Sequence, residues 1–220
     1  MCIPQKMDKF EILNNKYNTE FTNKLFENKS IFYEIYEACG KSFFHGCGSY
    51  LFDGRVYSYC DLMYPKQELL YNSVKNVKKV LEIGTYMGHS LLIMLLSNPE
   101  LKITCIDICD TYTRPAVTIL NKYFNNAITF IHKDSLSVLP NLDDKFDFFH
   151  IDGMHENNYI SNEFNLVKSL NCSEDNILRV LFDDADTLKQ LQKDITSEYQ
   201  VIKQICPNCS WTNIYFEIQL

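Results

Sequence analysis

The sequence lacks the features by which several function classes show themselves. No basic run exceeds two residues, and the 220-residue chain has a formal net charge of −7. A protein that grips a phosphate backbone along a basic face is therefore not expected, and no nucleic-acid partner is predicted. The longest apolar run, "LLIMLL" from Leu91 to Leu96, falls far short of the roughly 20 residues that cross a bilayer. The opening "MCIPQKMDKF" carries no apolar segment of secretory-signal type. Together these absences predict a cytoplasmic protein without a membrane partner. Cysteine is plentiful, but its nine copies are scattered and odd in number, which predicts reduced thiols in a reducing compartment. One pair, "CPNC" from Cys206 to Cys209, has the spacing of half a zinc site, yet no second C-x-x-C and no H-x-x-x-H supplies the other ligands. Pro207-Asn208 suits the centre of a tight turn, which is the preferred reading. A redox role would need a helix to start after the first cysteine.

What is present is ordinary for a soluble globular chain: 46% apolar and 22% charged residues, with 15 Phe and 14 Tyr. The length fits one sizeable domain better than two. Residues 8–40 place Phe, Ile, Leu and Tyr at helical intervals, which predicts one or two helices. Residues 41–64 mix Gly, Asp-Gly and aromatics without a period and predict a loop or lid. Pro65 then opens a helix whose apolar stripe runs through Leu69, Leu70 and Val74. The division that follows is an N-terminal helical and lid segment, 1–64, on the acceptor side, and a second unit over 65–220.

From residue 78 strands and helices alternate: "KKVLEIG", "KITCIDI", "AITFIHKD", "FDFFHID" and "ILRVLFDD" are short apolar strands separated by helical segments. Continuous apolar strands are buried on both faces, so the expected fold is α/β, a Rossmann-like parallel sheet covered by helices. The last two strands, "YQVIKQI" and "TNIYFEIQL", are joined by a connection so short that they must pair antiparallel. Seven strands result, five parallel plus a C-terminal antiparallel hairpin. In such sheets ligands lie beyond the carboxyl ends of the strands. All five parallel strands end on acids there: Glu82, Asp107, Asp134, Asp152 and Asp183-Asp184. One such acid is commonly a helix cap or turn former. Five facing one crevice are more than capping requires.

The loop "LEIGTYMGHS", Leu81 to Ser90, is E-x-G-x-x-x-G between a strand and a helix; Tyr86 stands where the dinucleotide fingerprint would place a second glycine. With Asp107 at the end of the next strand, a carboxylate able to accept both hydroxyls of a ribose, the pattern resembles class I S-adenosylmethionine-dependent methyltransferases over residues 65–220. "LEIGTYMGHS", "FHIDGMHENNY" and "LFDDAD" further resemble the metal-dependent O-methyltransferases, of catechol, caffeoyl-CoA and sugar or macrolide-glycoside type. The resemblance implies S-adenosyl-L-methionine as cofactor. It assigns Glu82, Gly84, Thr85, Tyr86, Gly88 and Ser90 to the cofactor loop and Asp107 with Ile108 to the ribose side. Asp134 and Ser135 fall on the adenine region, and Asp152 lies beside the cofactor. It implies Mg²⁺ or Mn²⁺ held by Asp152, Asp183 and Asp184, since bare carboxylates packed together would repel. It implies His155, three residues beyond Asp152, as catalytic base with Asp152 in the catalytic pair. Catechol-type members carry Lys at that place and sugar-type members His, so the expected acceptor is a sugar, glycan or related small molecule.

Two departures stand out. "NCSEDNILRV" replaces the family's glycine-containing turn before the fifth strand, and residues 1–64 match no motif. His45, His89 and His132 are read as structural or surface residues, and Asp110 and Asp186 as cap or surface acids. The rival readings are a catechol-like enzyme, a metal-independent small-molecule methyltransferase in which Asp152 and Asp183 only cap, and a degenerate subunit. A nucleic-acid methyltransferase is a fourth, disfavoured because the Asn/Asp-Pro-Pro-Tyr motif is absent after the fourth strand. A homo-oligomer is compatible with the sequence.

Overall fold

The expected apolar runs form the strands β1 (Lys79–Ile83), β2 (Lys102–Asp107), β3 (Ile128–His132), β4 (Phe148–Ile151) and β5 (Ile177–Phe182), followed by β6 (Gln200–Ile205) and β7 (Ile214–Gln219). They belong to a computed structural model that describes residues 8–220; the start of the 1–64 segment, Cys2 included, lies outside the described residues. The strands make one sheet in the order β3-β2-β1-β4-β5-β7-β6. β1 to β5 pair in parallel, and β7 inserts antiparallel between β5 and β6. The strand order reverses at β1, whose neighbours are β2 on one side and β4 on the other. That reversal leaves a crevice at the carboxyl ends where the flanking loops part.

The helices are α1 (Lys9–Tyr17), α2 (Glu20–Glu27), α3 (Lys29–Ala38), α4 (Tyr64–Ser73), α5 (His89–Ser97), α6 (Asp110–Tyr123), α7 (Ser135–Val138), α8 (Asn157–Val167) and α9 (Lys189–Glu198). Residues 8–40 give three helices rather than one or two. The extra breaks are at Asn18, left-handed at φ 47°, and at Asn28, which ends α2 and starts α3; asparagine tolerates such positions because its short amide bonds its own backbone. α5 is apolar all round and wholly buried from His89 to Leu96, as a helix between the sheet and an outer layer must be. That outer layer is α1 to α3: Phe10, Phe21, Leu25 and Phe32 share one hydrophobic cluster with Leu91, Leu92 and Leu95. A second cluster lies on the other face, where Phe164, Val167 and Leu191 meet Phe149, Val180 and Phe216.

The turn before β5 is rebuilt without glycine by Asn176, at φ 55°, whose N–H donates to the Ser173 carbonyl (3.0 Å). Cys206 to Cys209 occupy the β6–β7 connection, where the Cys209 N–H returns to the Pro207 carbonyl (3.2 Å). Both sulfurs are free thiols. Among the described residues no helix is long and apolar enough to cross a membrane.

Candidate cofactor and active site

Gly84 fixes the geometry of the crevice. Its φ is +79°, and a Cβ there would lie 2.1 Å from the Asp152 carbonyl oxygen. The chain at the end of β1 is clamped on both sides, Gly84 N–H to the Ile106 carbonyl (2.9 Å) and Asp152 N–H to the Ile83 carbonyl (2.7 Å). Only a residue without a side chain permits that approach. Beyond the clamp opens a cavity of about 570 Å³ whose walls include Gly84, Tyr86, Asp107, Ser135, Asp152 and His155. This size suits a small organic ligand. A larger groove of about 900 Å³ lies at the opposite, amino-terminal ends of the strands, near Lys79 and Asp147, away from the strand-end acids.

Several expected cofactor residues line this cavity: Gly84, Thr85, Tyr86, Ser90, Asp107, Ile108, Ser135 and Asp152. Asp107 holds the loop as well as facing it. Its Oδ2 accepts from the Thr85 and Tyr86 N–H groups (2.7 Å each) and its Oδ1 from the Cys109 N–H (2.6 Å). An ionised carboxylate offers about four acceptor sites, so with three taken Asp107 has room for one ribose hydroxyl rather than two. Tyr86, left-handed at φ 49°, stacks on Phe44 and accepts from the Phe44 N–H through its hydroxyl (2.7 Å), which ties the loop to the 41–64 segment. Ile108, 74% exposed, adds an apolar side chain to the cavity lining.

Three expected residues sit behind the wall. Gly88 caps α5. Glu82 is fully buried; its Oε2 accepts from Thr85 Oγ1 (2.8 Å), and its Oε1 meets His150 Nδ1 (2.9 Å). His150 Nε2 in turn meets the Tyr50 hydroxyl (2.9 Å), so Glu82 supports the loop from below and links it to the N-terminal segment. Asp134 caps α7 by accepting from the Leu136 N–H, and it accepts from the Tyr159 hydroxyl (2.8 Å). The carboxyl that reaches the cavity on that side is Glu163 of α8. It is wholly buried and takes the Ser135 hydroxyl on Oε1 (2.5 Å), while its Oε2 has no partner among the described residues. Burial pushes its pKa up to about 7.

The acids after β4 and β5 are drawn apart. Asp184 is left-handed at φ 47°, so consecutive side chains point different ways. Asp183 turns inward, where both of its oxygens accept from Lys66 Nζ (2.9 and 2.8 Å); the two residues are 6% and 3% exposed. Asp184 turns outward to His155, Oδ2 lying 3.3 Å from Nδ1. Burial, then the neighbouring Asp183, raises the Asp152 carboxyl well above the usual range and Asp184 in the same direction. For Lys66, burial acts downward but the charges of Asp183 and Asp152 outweigh it and raise its pKa.

A divalent ion shared by Asp152, Asp183 and Asp184 does not fit this arrangement. Magnesium asks for near-octahedral oxygens at about 2.0–2.1 Å. Here one carboxylate faces a lysine with both oxygens and another faces a histidine. Among the described residues no three acidic, His or Cys side chains converge as a metal cage.

Lys66 and Glu163 escaped the sequence reading, although each left a trace. Lys66 precedes Leu69 and Leu70 by three and four residues, and Glu163 follows Ile160 by three and precedes Val167 by four. Each is a charge on an apolar stripe, which is where a buried charge must appear.

A seven-stranded sheet reversing at β1, with a glycine loop over its carboxyl end and an acid at the end of β2, has the fold of class I S-adenosylmethionine-dependent methyltransferases. Residues 81–174 match a protein-family model described as "Methyltransferase domain". Cofactor-bound Rv0187 from MTB superposes with a TM-score of 0.68 at 14% identity, over 98% of this chain and 99% of that one. The O-methyltransferase TomG from Streptomyces achromogenes, involved in tomaymycin synthesis and bound to S-adenosylmethionine, gives 0.63 at 14% identity over 86% and 90% of the two chains. An O-methyltransferase from Bacillus cereus bound to S-adenosylhomocysteine gives 0.61 at 14% identity over 86% and 90%. At these identities the likeness is one of fold.

Proposed function

We propose that the chain methylates a hydroxyl oxygen of a small-molecule acceptor, with His155 as the base and the 41–64 segment forming the acceptor side. The observation that carries this reading is the His155–Asp184 pair (3.3 Å) at the rim of the cavity floored by Gly84. S-adenosylmethionine, when bound, supplies an electrophilic sulfonium methyl group. Asp107 offers its remaining acceptor site to a ribose hydroxyl, and Glu163 Oε2 is free to accept from an amino group on the adenine side. Asp184 Oδ2, 3.3 Å from His155 Nδ1, favours the tautomer with its proton on Nδ1 and the lone pair on Nε2. Nε2 takes the hydroxyl proton as the acceptor oxygen takes the methyl group. Phe44, Cys47 and Ser49 of the N-terminal segment line the same cavity as Ser135 and Glu163, which supports an acceptor-side role for that segment.

A sugar-like hydroxyl is the acceptor class this reading favours, because a histidine stands where the catechol type has lysine. A catechol remains the second reading, supported by the aromatic Phe44–Tyr86 pair at the cavity mouth. Labelled methyl transfer to sugar nucleotides, free glycosides and catechols separates the two. In the same assay His155→Ala is expected to lose about 10²–10⁴-fold in turnover while binding S-adenosylhomocysteine as the parent does. A variant within a few-fold of the parent rate would assign proton removal to another group.

A further inference from the structure

We propose that the Lys66 ammonium is the resident cation of this site, standing where the family resemblance called for a divalent metal, and that the protein transfers methyl groups without one. The inference rests on the methyltransferase reading above and goes beyond it. Three acids at the ends of adjacent strands need a positive charge among them. Lys66 provides it from outside the sheet: Nζ bridges both oxygens of Asp183 and lies 4.5 Å from the Tyr50 ring centre.

The lysine is held in place rather than draped there. α4 is fastened on each side of it. Gln67 donates through Nε2 to the Tyr50 carbonyl (2.5 Å) and accepts from the Tyr59 hydroxyl on Oε1 (2.5 Å). Asn213 Nδ2 reaches the Lys66 carbonyl (3.3 Å) and the Tyr50 hydroxyl (3.2 Å). A side chain so fixed cannot leave Asp183 without stranding a buried carboxylate, and a second cation on the same oxygens would meet the ammonium at contact distance. Lys66 is a positioning residue. It keeps Asp183 folded inward and supplies an attractive charge for Asp152 at the cavity wall. The methyl transfer itself is balanced without it: the S–C bond breaks, the O–C bond forms, and the proton goes to His155 Nε2.

Mn²⁺ titration followed by electron paramagnetic resonance tests this on the intact protein, whether or not an acceptor is known. The parent is expected to bind no Mn²⁺ at one-to-one stoichiometry below millimolar concentration and to keep its turnover within about two-fold in EDTA. Lys66→Ser bares both Asp183 oxygens and is expected to gain one-to-one Mn²⁺ binding. Lys66→Met is expected to lose at least tenfold in kcat with S-adenosylhomocysteine affinity unchanged, and Lys66→Arg to recover part of that loss. Micromolar Mn²⁺ binding by the parent, or turnover abolished by EDTA and restored by Mg²⁺, overturns the proposal. So does a folded Lys66→Ser protein that takes up no Mn²⁺. Absence of S-adenosylhomocysteine binding in the parent would sink the methyltransferase reading instead, and the parent's Mn²⁺ titration would still decide the cation question.

Discussion

Glu163 shows how one carboxyl can set a pH response. Burial raises its pKa from 4.5 to about 7, so the native protein keeps this proton between those values while the unfolded chain has already released it. The unfolded state then binds fewer protons, and stability falls as pH rises from about 4.5 through 7, levelling off above. The penalty at pH 8 is on the order of 3 kcal/mol. Glu163→Gln keeps an oxygen for the Ser135 hydroxyl and cannot ionise. Its urea midpoint should match the parent's near pH 5 and exceed it near pH 8. Equal differences at both pH values would mean that Glu163 is not the titrating group.

At the scale of elements, the strand–loop–helix unit from β1 to α5 carries the site, and its weakest point is Gly84. Left-handed backbone alone costs a non-glycine residue about 1–2 kcal/mol. Gly40, at φ +70° with open space around it, would pay only that. Gly84→Ala adds a collision with the Asp152 backbone, so β1 and β4 must separate at their carboxyl ends. A loss of more than about 3 kcal/mol is expected for Gly84→Ala, together with loss of S-adenosylhomocysteine binding, against roughly 1 kcal/mol and unchanged binding for Gly40→Ala. Thermal unfolding and calorimetry on the two variants would show it; comparable losses would place no special demand on the Gly84 loop.

At the scale of the molecule, the N-terminal helices and the sheet domain share a core. Phe32 is fully buried, 5.3 Å from the Phe10 ring and 4.3 Å from Tyr57, and it also packs on His89 at the start of α5. Phe32→Ala should cost about 3–5 kcal/mol. Because the cluster runs from α1 to the sheet, the loss should appear in one cooperative transition. The single tryptophan, Trp211, lies beyond β6 and far along the chain from α3; its fluorescence and the far-ultraviolet circular dichroism should shift together. Two separated transitions would show that the N-terminal helices unfold independently.

The sequence by itself determined the strands, the antiparallel C-terminal hairpin, the glycine loop and the row of acids, because each is local: apolar runs make strands, a short connection forces antiparallel pairing, a glycine permits a turn, and an acid ends the strand that carries it. The reversal of the sheet at β1 came only with the pairing of β1 to both β2 and β4. His155 was singled out by the resemblance to the metal-dependent O-methyltransferases, and it lines the same cavity as Asp152. Only the tertiary structure decided what those acids face. Asp183 meets a lysine 117 residues away, Glu82 meets His150 across paired strands, and Asp134 yields the cavity to Glu163 of the following helix. A carboxylate's chemistry is set by the charge and the donors within a few ångströms of it. Those neighbours come from distant segments brought together by packing, which strand and helix periodicity does not encode.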